Sequence, residues 1–244
     1  MSALAEQIID QQFTHDAAGK RIAGSSFISR AQGQALTELI RSDASILKTM
    51  EIGCAQGVSS LFICDALKGR PDARHTIVDP FQETDWRGAG RAALKREGHD
   101  NYDFVEELSE ILLPRWVQEE RRFDMIFVDG NHSFEHALFD MIFSTKLLRT
   151  GGYLAVDDTG IPPVAKAFRY VEQFPCYEVV RKVHAWPQSP GLAMLAKIGS
   201  VIPMSPNMLT RLPYKSHGFF RKPRMIILRK VAEDQRYWRR YKPF

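Results

Sequence analysis

Residues 46–68 read ILKTMEIGCAQGVSSLFICDALK. Residues 46–52 are expected as a strand, and the turn Gly53-Cys-Ala-Gln-Gly57 leads from it into a helix over 58–68. Small residues there let the backbone turn sharply and approach a ligand, and the helix start offers unpaired N–H groups. The next strand, His75–Val78, ends at Asp79, 22 residues beyond Gly57. A carboxylate at that place accepts two hydrogen bonds from a ribose diol in dinucleotide folds. The spacing G-x-x-x-G, rather than G-x-G-x-x-G, argues against a pyrophosphate ligand. So does Glu51 at the strand end, which repels phosphate and suits an ammonium group.

The rest of the chain continues the alternation. A helix is expected over 27–41 with Ser29 as its cap, and a loop with a helix over 83–100. Tyr102–Val105 reads as a short strand and 109–120 as a helix with Pro114 near a turn or kink. Asp124-Met-Ile-Phe-Val-Asp129 is apolar between two acids, as a parallel strand covered on both faces should be. Ser133–Leu148 follows as a helix stopped by Gly151-Gly152, then a strand over Tyr153–Val156 and a helix at 163–173. Two last strands, 177–185 and 191–198, read as an antiparallel hairpin around Pro187 and Pro190. The expected fold is a doubly wound, Rossmann-like α/β sheet of seven strands, mostly parallel with an antiparallel edge hairpin and helices on both faces. Ligands bind such sheets at the carboxyl ends of the strands, where the strand order reverses.

Composition narrows the class. The 244 residues are 44% hydrophobic and 25% charged, which excludes disordered and collagenous chains. Residues 199–244 hold eleven basic and two acidic groups, a charge of +9, so the first 198 residues carry −5 beneath the overall +4. The chain divides into an N-terminal segment 1–28, a domain over 29–198 and a basic, aromatic extension over 199–244. Residues 1–28 and 83–95, with Trp86, Arg87 and Gly88, are candidates to close over a substrate. No apolar run reaches a bilayer-spanning length. The free thiols expected of Cys54, Cys64 and Cys176 suit a reducing, cytoplasmic compartment.

Three further acids end strands: Asp129 the fourth, and Asp157 and Asp158 the fifth. If these strands are neighbours, their ends lie about 4.8 Å apart. Carboxylates meeting there repel unless a cation lies between them or one keeps a proton. A divalent cation answers this, and all-oxygen ligation suits Mg²⁺, Ca²⁺ or Mn²⁺, with Mg²⁺ preferred. The plainer alternative is that some of these acids cap the following helices. His132 follows in Asp129-Gly-Asn-His, where imidazole is able to take a proton from a hydroxyl near pH 7; the alternative is a surface or capping residue. Asn131 and Ser133 read as the helix cap, and His136 as packing or solvent-facing.

Together MEIGCAQGVSS, TIVDP, FDMIFVDGNHSFEHALFD and LLRTGGYLAVDD resemble, in that order, the class I S-adenosylmethionine-dependent methyltransferases. More narrowly they resemble the small-molecule O-methyltransferases of the catechol and macrocin type. The resemblance implies that Glu51, Gly53, Ala55 and Gly57 line the methionine part of the cofactor and that Asp79 holds its ribose. It places Glu107, Leu108 and Ser109 near the adenine. It assigns Asp129, Asp157 and Asp158 to a metal that grips two acceptor oxygens, and His132 to the general base. The function it implies is metal-assisted O-methylation of a small hydroxylated molecule, catechol-like or a sugar diol. Two alternatives stay open: a metal-independent methyltransferase on another nucleophile, RNA included, and a nucleotide-binding protein without methyl transfer. The extension is expected to pack on the domain or on a second subunit. Its residues 211–244 also suit contact with an anionic surface, whereas the acidic cleft disfavours nucleic acid.

Overall fold

The computed structural model describes residues 1–25, 27–184 and 223–237. The chain opens with α1 (Ala3–Gln11) and a small hairpin, β1 (Phe13–His15) with β2 (Arg21–Ala23). Ser2 caps α1 through its hydroxyl, which accepts from Ala5 N at 3.0 Å. Then come α2 (Arg30–Ser42), β3 (Lys48–Ile52), α3 (Val58–Leu67), β4 (Arg74–Val78) and α4 (Ala89–Arg96). Next are β5 (Tyr102–Val105), α5 (Ser109–Gln118), β6 (Phe123–Val128), α6 (Phe134–Leu147), β7 (Leu148–Val156), α7 (Pro162–Val171), β8 (Tyr177–Val183) and β9 (Met225–Lys230). Ser29 precedes α2 as expected, and its N–H donates to Gln32 Oε1 at 2.8 Å, one half of a capping box.

The main sheet has seven strands in the order β5-β4-β3-β6-β7-β9-β8. The five strands from β5 to β7 are parallel, and β9 runs antiparallel to both β7 and β8. Strand order reverses between β3 and β6, so the crevice of a doubly wound sheet opens above their carboxyl ends. Register explains the unbroken apolar run of β6. Met125 and Phe127 face the core under α2 and α3, while Ile126 and Val128 face the core under α5, α6 and α7. Helix α3 is buried at nearly every position, with Leu61, Phe62 and Ile63 fully so, because α1 and α2 cover the side that the sheet does not.

Three features differ from the sequence reading. Gly151 and Gly152 do not stop α6; they lie inside β7, which starts at Leu148 directly after the helix. Gly151 takes φ +87° there, and the pairing of β7 with β6 shifts register near the same point. Pro114 sits within α5 without ending it. At the sheet edge, the partner of β8 is β9, the extra strand expected over Met225–Leu228 within the extension; the strand expected at 191–198 lies outside the described residues.

A buried lysine locks β9 in place. Lys230 is 1% exposed, and its ammonium donates to Thr145 O at 3.1 Å, Leu148 O at 2.8 Å and Glu233 Oε2 at 2.8 Å. The last carbonyls of a helix have no partners within it, and here one of them receives a charged donor from the sheet. The N-terminal hairpin braces the ligand loops in a similar way. Ala17 N donates to Arg87 O at 2.9 Å, and Gln56 Nε2 donates to Ala23 O at 2.9 Å. Among the described residues no helix is long and apolar enough to cross a membrane.

Gly53, the first residue after β3, shows how tightly the crevice is built. It adopts φ +89°, and a Cβ there would lie 2.1 Å from Asp129 O across the switch point. Gly69 has a similar φ of +81° with nothing within 4 Å of such a Cβ. Gly69→Ala should therefore cost about 1–2 kcal/mol, the left-handed penalty alone. Gly53→Ala should cost at least about 2 kcal/mol more, because backbone must move. Urea denaturation of both variants measures the difference, and equal losses would contradict the steric account.

Candidate active site

A cavity of about 460 Å³ opens over the carboxyl ends of β3, β4, β6 and β7, within the usual range for small-ligand sites. One half is built from the turn after β3 and the acid after β4. Asp79 is 3% exposed; its Oδ2 accepts from Cys54 N at 3.0 Å and Ala55 N at 2.7 Å, and its Oδ1 accepts from Phe81 N at 2.9 Å. Burial pushes its carboxyl above the usual value, and the three amides oppose that shift. A carboxylate has about four acceptor sites, so one remains for a hydroxyl. Gly53, Ala55, Asp79, Leu108 and Ser109 all line the cavity. The turn allows close backbone approach of a ligand, and Asp79 can still accept from one hydroxyl.

Glu51, Gly57 and Glu107 stand elsewhere. Glu51 is fully buried on the α3 side of the sheet, bonded to the Ser60 hydroxyl and 3.5 Å from His75 Nε2, so it underlies the turn without lining the cavity. Alternation along β3 dictates this, since Ile52 at the next position takes the opposite face. Gly57 caps α3, and a Cβ there would come within 2.9 Å of Gly90 Cα. Glu107 pairs with Arg115 at 2.6 Å near the surface.

The other half gathers the acids of β6 and β7. His132 Nε2 lies 3.2 Å from Asp158 Oδ2 and 3.5 Å from Asp129 Oδ1. Ligand atoms of Asp129, His132 and Asp158 all fall within 4.8 Å of one another. Asp157 is oriented otherwise: its Oδ1 accepts from Gln32 Nε2 and, at 2.7 Å, from Asp158 N. The all-oxygen set expected of Asp129, Asp157 and Asp158 thus differs from the grouping found, in which an imidazole takes the third place. Asp158 holds φ +51°, a left-handed conformation that Asp tolerates better than most residues.

Electrostatics follow from this crowding. Burial raises Asp129 to about 6, and burial with the neighbouring carboxylates raises Asp157 well above the usual value. The hydrogen bond to Asp129 raises His132, against the opposing effect of burial. Arg224, just before β9, also lines the cavity, with Nε 3.3 Å from Asp158 Oδ1. Sequence reading missed this cation; it stands 66 residues from Asp158 in the chain and no local signal marks it. Gln32 was likewise unmarked. Phe27, Ile28 and Trp86 complete the walls, and His136 and Asp140 enter from α6. His136 Nε2 lies 3.7 Å from Glu110, and Ser133 caps α6 by accepting from His136 N, with Ser133 N donating to Asn131 Oδ1.

Comparison with known proteins places this geometry. Residues 50–159 match the model of a methyltransferase domain, a span that contains the turn after β3, Asp79 and the Asp129–Asp158 group. Among solved structures, an O-methyltransferase from Bacillus cereus in complex with SAH aligns with TM-score 0.59 at 17% identity, over 74% of this chain and 83% of that one. The O-methyltransferase TomG from Streptomyces achromogenes, solved with SAM, aligns with TM-score 0.55 at 20% identity, over 75% and 81%. A structural-genomics protein from Corynebacterium glutamicum aligns over 96% and 90% with TM-score 0.58 at 15% identity. No curated protein sequence matches the chain. At these identities the solved structures establish the fold alone. Residues 50–159, the stretch similar to a methyltransferase domain, carry the turn after β3 and the strand-end acids that share this cavity.

Proposed function

We propose that the protein methylates a hydroxyl oxygen of a small molecule, with a divalent cation held at the Asp129–His132–Asp158 group. The observation that carries this reading is that group itself, three ligand atoms within 4.8 Å on the same cavity as Asp79 and Gly53. The O-methyltransferases named above share the fold and support the choice of oxygen as the nucleophile. The donor set fits a cation: two hard carboxylates next to one imidazole suit Mn²⁺ at least as well as Mg²⁺. A bound cation there would lower the pKa of a hydroxyl and favour an acceptor with two adjacent oxygens, as in a catechol or a sugar diol.

S-adenosylmethionine supplies a methyl group already activated on a sulfonium, so the protein needs no covalent intermediate. Its own residues position the partners and manage the proton. Asp79 and the turn after β3 fix the nucleoside end, while the acids of β6 and β7 fix the acceptor end. Phe27, Ile28 and Trp86 exclude water from the space between. Without a bound cation, Asp129 and Asp158 hold the His132 ring and stabilise its charged form.

A second reading needs no metal. His132 Nε2 faces both carboxylates, as in an acid-oriented imidazole base, and Arg224 already offsets part of the negative charge. Under it His132 Nδ1 takes the hydroxyl proton. The two readings separate on one set of measurements, made with S-adenosylmethionine and a panel of catechols and sugar diols. Under the metal reading, EDTA abolishes activity and Mn²⁺ restores it. Asp129→Ala and Asp158→Ala each weaken calorimetric Mn²⁺ binding at least tenfold, and Asp129→Ala lowers kcat by at least about 100-fold. Full activity in EDTA with loss only in His132→Ala selects the metal-free base instead. Methyl transfer to none of the hydroxyl acceptors, but to a nitrogen nucleophile, overturns both.

The imidazole also has a predicted titration. In protein freed of divalent cations, the His132 ring resonance followed by NMR should titrate above the ordinary value of 6.5, because the Asp129 carboxylate stabilises the imidazolium. The charge then persists to higher pH and is lost as pH rises through the elevated value. Asp129→Asn removes the main cause and should move the transition downward. An unchanged midpoint would show that Asp129 does not set it.

A further inference from the structure

Arg224 is the one lysine or arginine among the described residues that line the cavity. Sheet topology brings it there. Strand β9 runs antiparallel to β7, with Ile226 beside Val156, so the start of β9 emerges at the carboxyl end of β7. Two ties fix the Arg224 backbone at that point. Its N–H donates to Val183 O at 2.8 Å, and its carbonyl accepts from Thr159 N at 3.0 Å. The Thr159 hydroxyl also donates to Pro223 O at 2.8 Å. Thr159 is buried and directly follows Asp158, so the arginine and that carboxylate share one braced frame.

The side chain is held from one edge only. Nε lies 3.3 Å from Asp158 Oδ1, while Asp158 Oδ2 faces His132 at 3.2 Å. An arginine that serves only to neutralise a carboxylate commonly presents two parallel N–H groups to both of its oxygens. Here Asp158 divides its oxygens between two partners, and the terminal nitrogens of Arg224 hydrogen-bond to no described residue. The side chain stays 40% exposed. Ile161, whose N–H donates to Asp158 O at 2.8 Å, adds an apolar side chain to the same part of the cavity. A neutral molecule closing over this corner would take charged donors out of water without pairing them. A carboxylate pairs with both terminal nitrogens at once, in the planar geometry of the guanidinium.

We propose that Arg224 binds a carboxylate on the methyl acceptor, so that the substrate is a hydroxylated acid rather than a neutral catechol or sugar. This rests on the hydroxyl-methylation reading and narrows its acceptor. Asp158 orients the guanidinium through Nε and leaves the outer edge to the ligand.

Initial-rate kinetics of the full chain test this, with S-adenosylmethionine, Mn²⁺ and matched pairs of acceptors: protocatechuate with its carboxamide, and glucuronate with glucuronamide. Wild type should prefer the acid by at least about tenfold in kcat/KM, chiefly through KM. Arg224→Gln should bring the two members of a pair to within about twofold, and Arg224→Lys, which keeps the charge and loses the fork, should fall between. A purely structural role would lower both members alike, and the ratio within each variant is not distorted by a partly unfolded sample. Equal use of acid and amide by wild type, or a preference for the acid that survives in Arg224→Gln, overturns the role of Arg224. Transfer to neutral catechols or sugar diols but to neither acid overturns it as well. Transfer to no hydroxyl acceptor of either kind would instead remove the reading on which it rests.

Discussion

One carboxylate holds the β3–β4 half of the site together. Asp79 accepts hydrogen bonds from Cys54 and Ala55 on the turn after β3 and from Phe81 on the turn after β4. Turns of this kind have few backbone partners of their own, because the strands have ended and the helices have not begun. The buried acid replaces those partners and fixes two loops relative to each other. Gln82 adds a second tie, donating to Ala55 O at 2.9 Å and accepting from Gly90 N at 2.8 Å. The N-terminal hairpin then leans on both loops through Gln56 and Arg87. A ligand meets a preformed surface, which limits the ordering cost of binding.

The half of the site at β6 and β7 has the opposite problem, an excess of like charge. Asp129, Asp157 and Asp158 converge there because β6 and β7 are parallel neighbours in register, Val128 beside Val156. The protein relieves the crowding with separate partners: Gln32 for Asp157, and His132 with Arg224 for Asp158. Arg224 gives part of the basic C-terminal stretch a definite place. Among its described residues Arg224 faces the cavity, while Lys230 bonds to carbonyls at the end of α6. A net charge counted along the chain says nothing of such pairings, which decide what each charge does.

Much of this was legible beforehand because it is local. The strand, turn and helix of residues 48–67 follow from apolar periodicity broken by glycines, and Gly53 requires its left-handed φ on the spot. The apolar run of β6 between Asp124 and Asp129 announced a strand covered on both faces. Local reading failed where a neighbour in space overruled the usual meaning of a residue. Gly151 and Gly152 look like a helix stop, yet pairing with β6 draws them into a strand. Glu51 sits in the motif but points to the wrong side of the sheet, as the two-residue period of a strand requires once Ile52 is placed.

By itself, the sequence determined the alternation of parallel strands and helices, the glycine-containing turn after β3 and the acids at the strand ends. Each depends on residues a few positions apart, so each leaves a periodic or spaced pattern. Tertiary structure alone decided that β9 lies between β7 and β8, that His132 takes the place expected of Asp157, and that Arg224 reaches the cavity. Those outcomes depend on which distant segments share a surface. Contacts of that kind are chosen by packing and charge balance over the whole fold, and they leave no spacing in the chain to be read.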